Sequence, residues 1–148
     1  MAGTRNAEAS PLAPEAPQPL TQELTQDWID QRVFDLYDEY CGTTNFLAMT
    51  LGPDMHAGVP YYGAAAETAG VAKIKAPLLI QYAENDERIN AMWPEYEKAL
   101  KAAGVPHEMH MYPGTQHGFH NNSTPRYHEA SAKLAWDRTI TFFKKHLA

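Results

Sequence analysis

The sequence predicts an α/β protein built on a short parallel sheet of about three strands flanked by helices. Three observations carry this. Leu78-Leu79-Ile80-Gln81-Tyr82 is a short run that is apolar on both faces, as a central parallel strand requires. From residue 57 onward, strand-like and helix-like segments alternate, the pattern of βαβ units. Two loops that carry reactive side chains, one with Asp86 and one with His117, each follow an apolar strand, where an open parallel sheet gathers its functional groups.

The elements follow in order. Residues 1–20 hold Pro11, Pro14, Pro17 and Pro19 among alanine, glutamate and glutamine. Such a segment buries too little to offset its ordering entropy and reads as a disordered, partly polyproline-II tail. Residues 21–41 read as a helical extension: Leu24, Trp28, Phe34, Leu36, Tyr37 and Tyr40 recur near helical spacing, with Thr21 or Thr25 as N-cap. Residues 43–148 then form one α/β unit. A short helix over 44–51 stops at Gly52-Pro53. A first strand covers residues 57–62, and a long connection over 64–76 contains a helical turn near Val71. Pro77 opens the central strand. Asn90 can cap a helix that runs to Ala103, with Pro94 in its first turn and Gly104 just past its end. Residues 107–112 form the next strand, and a final helix over 127–146 turns Ala130, Leu134, Ile140, Phe143 and Leu147 to the core.

Composition narrows the class. The chain has 148 residues, of which 44% are hydrophobic and 20% charged, with 12 basic against 18 acidic residues and a net charge of −6. No basic block stands out, so no nucleic-acid partner is expected. No stretch approaches the roughly 18 apolar residues that cross a bilayer, so no membrane partner is expected either. The start lacks the apolar core of a secretory signal, and a cytoplasmic location is expected. One cysteine, Cys41, excludes an internal disulfide and suits a reducing compartment.

Asp86 falls four residues past Tyr82, and His117 five past Tyr112. Taken singly, each reads equally as a loop group: Glu84-Asn85-Asp86-Glu87 is also a solvated turn, and His117 can be satisfied by backbone. Taken together, an acid after one strand and a histidine after the next give the chain order of nucleophile, acid and histidine used by hydrolytic triads. There the histidine takes the nucleophile's proton, and the carboxylate fixes its tautomer. Gly114 and Gly118 let the histidine loop turn sharply.

Ala57-Gly58-Val59-Pro60-Tyr61-Tyr62-Gly63, Ala76-Pro77-Leu78-Leu79, Asn85-Asp86, Tyr112-Pro113-Gly114 and His117-Gly118-Phe119 together resemble the C-terminal half of dienelactone hydrolase family proteins, the carboxymethylenebutenolidase-like α/β-hydrolases. The likeness runs from about Phe46 to Leu147. It implies a partial α/β-hydrolase fold and ester or lactone hydrolysis by a Cys-Asp-His triad, with no metal or organic cofactor. By the same resemblance Asp86 is the triad acid, His117 the triad base, and the substrate a small-molecule ester or lactone.

The nucleophile is the point of departure. The family elbow reads Gly-x-Cys-x-Gly-Gly, whereas Cys41 stands in Glu39-Tyr40-Cys41-Gly42-Thr43, after an amphipathic helix rather than a buried strand. Ser10, Ser123 and Ser131 lack glycine flanks as well. The chain thus looks internally truncated, with Cys41 closing the N-terminal helix. The second helix's N-terminus can still lower its pKa and keep it a candidate nucleophile. Two functions remain open: a hydrolase impaired by the missing elbow, and a non-catalytic α/β remnant or interaction module. In either case the first strand, residues 57–62, should expose an unpaired edge, with self-association through it as the relief.

The remaining signals are weaker. His107 and His110, three apart on a strand, point to opposite faces and make a poor metal pair. Trp93, Tyr96 and Trp136 read as core aromatics. Tyr61, Tyr62 and Phe119 sit where a cleft would open. Arg88 and Arg126 can hold a substrate carboxylate or simply face solvent.

Overall fold

The computed structural model describes residues 44–147. The tail of residues 1–20, the helical extension over 21–41 and Cys41 lie outside the described residues. The sheet consists of β1 (Leu78–Asn85) and β2 (His107–Gln116), which run parallel. Helix α1 (Thr44–Leu51) leads into a 3-10 turn at Gly52–Asp54, and a second 3-10 segment spans Thr68–Lys73. Helices α2 (Glu87–Asn90) and α3 (Trp93–Ala102) make the crossover between the strands, and α4 (Glu129–Leu147) follows β2.

Residues 57–62 lie along the other side of β1, joined by two isolated parallel bridges, Gly58 with Leu78 and Tyr61 with Gln81. The N–H groups of Leu79 and Gln81 donate to Gly58 O (2.9 Å) and Pro60 O (3.0 Å), and those of Gly58 and Tyr62 donate to Pro77 O and Gln81 O. The expected first strand is present in direction and place, but its ladder is interrupted. Pro60 has no N–H, so the rung in the middle cannot form. β1 is therefore the central element, with β2 on one side and residues 57–62 on the other.

Side chains alternate across β1 and divide the core in two. Leu78, Ile80 and Tyr82 meet Ala48, Val71, Ile74, Ile89, Tyr96, Leu100 and Val105 beneath α1 and α3. Buried Asn45 ties α1 to this layer, donating to Ala64 O (2.9 Å) and accepting from Tyr96 Oη (3.1 Å). On the opposite face, Ala83 packs with Tyr61, Tyr62, Tyr112, Phe119 and Ala135. Among them Gln81 is fully buried beneath α4. Its amide donates to Ala135 O (3.2 Å) and Thr139 Oγ1 (2.8 Å) and accepts from Tyr112 Oη. Tyr61 Oη reaches the same Thr139 hydroxyl at 2.8 Å. Burial drives the Tyr61 phenol well above its ordinary pKa.

Two local expectations are corrected. Asn90 does not cap a helix. It ends α2, and its amide donates to Ala83 O (2.9 Å) and Glu84 O (3.0 Å), carbonyls at the end of β1. In α4 the buried residues are Ser131, Ala132, Ala135, Thr139, Ile140 and Phe142, whereas Leu134 is 46% exposed and Ala130 is exposed. Small side chains let this helix lie close to Gln81 and Tyr61, so its contact face is chosen by size and hydrogen bonding rather than by hydrophobicity alone. His107 and His110 do separate: His107 packs against Trp93 of α3, while His110 sits near Arg138 of α4.

Candidate active site

Asp86 is the first residue after β1 and occupies the N-cap position of α2. Its side chain makes no capping bond to the helix. It turns instead toward the loop after β2, where its Oδ2 accepts the Nδ1–H of His117 at 2.6 Å. The Asp86 side chain is 8% exposed and that of His117 41%. A carboxylate so far out of water needs a charge-assisted partner, and the imidazole N–H supplies it. With its proton held on Nδ1, the ring presents Nε2 as a proton acceptor. Among the described residues, Asp86 is the hydrogen-bond partner of His117.

Register brings the two residues together. The ladder runs from Leu78 opposite His107 to Ala83 opposite Tyr112 and then shifts, so that Asn85 pairs with Gln116. The expanded stretch is Pro113-Gly114-Thr115. Gly114 takes φ +72 there, a left-handed conformation that a side chain would strain. Its N–H donates to Glu84 Oε2 (2.8 Å), and Thr115 Oγ1 donates to Tyr112 O (2.7 Å).

Beyond His117 the chain turns back on itself. Phe119 N–H bonds Gln116 O (3.0 Å), and Gly118 takes φ +87 at the bend. Fully buried Phe119 anchors the turn against Tyr112 and Tyr62, with ring centroids 4.9 and 5.7 Å away. The Tyr62 ring also flanks the His117 imidazole at 4.8 Å. Tyr62 itself has φ +38, a conformation that is costly for a bulky residue and is found where surrounding structure over-determines it. Its N–H bond to Gln81 O at 2.7 Å is part of that constraint. His120 packs between Tyr61 (4.7 Å) and Trp136 (6.0 Å), and burial lowers its pKa.

The structure thus joins Asp86 and His117 and places Tyr62 and Phe119 around them, while Cys41 lies outside the described residues. Arg126 runs beside Gly118, where a Cβ would come within 3.8 Å of its Nε, and Arg88 is exposed on α2. Ser123 is bonded to Asn121 Oδ1 in an exposed turn. Sequence reasoning overlooks Glu84, which reads as a solvated loop acid. It also overlooks the Gln81–Thr139 network, whose polar members hide within apolar runs. An open groove bordered by Leu79, Glu108, His110, Arg138 and Lys145 lies at the other end of the sheet and shares no residue with this site. Among the described residues, no helix is long and apolar enough to cross a membrane.

Known proteins can be set beside this geometry. The model of the dienelactone hydrolase family matches residues 40–147. A carboxymethylenebutenolidase homologue from Azospirillum brasilense is 37% identical over 103 residues, which cover 67% of this chain and 44% of that protein. One from Salmonella typhi is 29% identical over 116 residues, covering 71% of this chain and 43% of its own length. The crystal structure of a dienelactone hydrolase homologue from Klebsiella pneumoniae superposes with a TM-score of 0.65 at 27% identity, covering 72% of this chain and 50% of that one. The chain therefore spans about half the length of the relatives it matches.

Proposed function

The chain belongs to the dienelactone hydrolase family, and from that premise we propose that Asp86 and His117 are the acid and base of a site for hydrolysing small-molecule esters or lactones. The observation that carries the proposal is the 2.6 Å contact between Asp86 Oδ2 and His117 Nδ1, made by residues from loops after adjacent parallel strands. In this chemistry His117 Nε2 removes the proton of a cysteine thiol. The thiolate then adds to the ester carbonyl, and the alkoxide leaves with the proton carried by Nε2. The same nitrogen next deprotonates a water, which attacks the thioester and releases the acid and the thiol. Asp86 keeps Nδ1 protonated and stabilises the imidazolium in each half. A reducing compartment such as the cytoplasm suits a free thiol.

Cys41 is the cysteine available within this sequence, and its flanks, Glu39 and Thr43, lack the elbow glycines. We therefore assign the chain weak turnover of its own. The test is p-nitrophenyl acetate hydrolysis by wild type, Cys41→Ala and His117→Ala. The expected result is a slow rate that disappears in His117→Ala and survives in Cys41→Ala, with His117 Nε2 acting as base toward the attacking water. Loss in both variants identifies Cys41 as the nucleophile and overturns the impairment. Rates equal to the buffer reaction in all three remove the hydrolase reading and leave a non-catalytic interaction module, which the unsuitable flanks of Cys41 favour.

A further inference from the structure

We propose that Glu84 is a positioning residue for the Asp86–His117 pair, acting by pinning the expanded turn of β2 that sets their register. This rests on the reading of those two residues as the acid–base pair and adds to it a device outside the pair. The ladder itself makes the case. Up to Ala83 opposite Tyr112 the strands advance together, and an uninterrupted continuation would bring Asp86 opposite Thr115. His117 would then lie two residues further along, about 6.6 Å at the rise of a parallel strand, beyond hydrogen-bond reach. The observed ladder resumes instead with Asn85 opposite Gln116, so the next step along both chains meets Asp86 with His117. The extra length of β2 at Pro113-Gly114-Thr115 thus aligns the two groups.

An expansion of this kind leaves backbone groups without ladder partners, and local side chains take them up. On the β1 side, the Asn90 amide donates to Ala83 O and Glu84 O. On the β2 side, Thr115 Oγ1 donates to Tyr112 O, and Gly114 N–H donates to Glu84 Oε2 at 2.8 Å. Pro113 has no N–H to place. Of these ties, the Glu84–Gly114 bond is the side-chain bond that runs from one strand end to the other at the level of the shift. It is charge-assisted and exposed, and Glu84 contributes nothing to the packed layers. Its role is therefore separable from folding.

The test uses the full chain, with Glu84→Ala, Glu84→Gln and Asp86→Asn compared by NMR. Two signals are read: the downfield Nδ1–H resonance and titration of His117, and the exchange rate of the Gly114 amide. Glutamine keeps an oxygen acceptor without the charge. The expected result is that Glu84→Gln retains the His117 resonance and a protected Gly114 amide. Glu84→Ala should lose or broaden the resonance and exchange Gly114 on the order of tenfold faster, the effect of losing one such bond. A wild-type His117 resonance in Glu84→Ala overturns the proposal. So does a Glu84→Gln variant that behaves like Glu84→Ala, since that would make the effect one of charge. Asp86→Asn separates the two readings: if it leaves the His117 resonance unchanged, the acid–base pair itself fails, whatever position 84 does.

Discussion

At position 81 the apolar run that opens β1 buries an amide whose donors and acceptor are all engaged. A few ångströms along the same strand, Tyr82 does the reverse: its hydroxyl is buried with no hydrogen-bond partner among the described residues, and burial pushes its pKa up to about 12. The two positions should respond oppositely to apolar replacement. Gln81→Leu removes three buried hydrogen bonds, among them the one the Tyr112 hydroxyl donates, and should destabilise the fold by roughly 2–3 kcal/mol. Tyr82→Phe removes a buried hydroxyl that makes no hydrogen bond among the described residues and should stabilise it by about 1 kcal/mol. Urea unfolding of both variants checks the contrast, and a common sign would contradict it. Neither effect is legible in the sequence, because Gln81 and Tyr82 stand side by side in one hydrophobic run. Asp86 and His117 are legible because each lies a few residues past a strand-like run, although only the first of these runs is buried along most of its length. Glu84 is not, because its role depends on a register shift that no local pattern encodes.

Among the elements, β1, β2 and α3 follow from periodicity and breakers, whereas the short α2 ahead of α3 does not. What periodicity leaves open is which face of a helix docks. In α4 the spacing of Leu134 and Phe143 suggests one stripe, while the chain buries Ala135 and Thr139 because only small groups fit over Gln81 and Tyr61. Likewise Pro60 turns an expected strand into a pair of bridges, an effect of one missing donor that hydrophobicity does not report. The docking of α4 also has a pH dependence. Trp136 of this helix rests against His120, whose pKa burial holds below the ordinary 6.5. As pH falls below 6.5 the unfolded chain takes up this proton before the folded one does. The contribution of His120 is therefore complete above that pH, declines as pH drops toward the lowered folded-state pKa, and levels off beneath it. His110, also lowered by burial and by Arg138 with Glu108 opposing, acts in the same direction. Thermal midpoints measured above and below pH 6.5 should differ less in His120→Gln than in wild type. An equal difference would place the proton uptake elsewhere.

At the scale of the whole fold, the sheet is narrow among the described residues: two regular strands and one interrupted partner are close to the minimum for an independent layer. The bonds of Gly58 and Pro60 face β1, so the backbone of Val59 between them faces outward, where no bond to the described residues is made. Such an edge invites another strand. Sedimentation velocity on the full chain should show association that grows with concentration, and thermal unfolding should begin at modest temperature. A single high-melting monomer across the concentration range would retire that expectation. One consequence reaches further. Asp86 and His117 directly follow consecutive strands of a single βαβ unit, so the carboxylate and the imidazole that touches it are encoded in one contiguous stretch of chain. The pair is in that sense a portable cassette: under the proposed function, the carboxylate and imidazole would stay aligned for whichever nucleophile is brought to them.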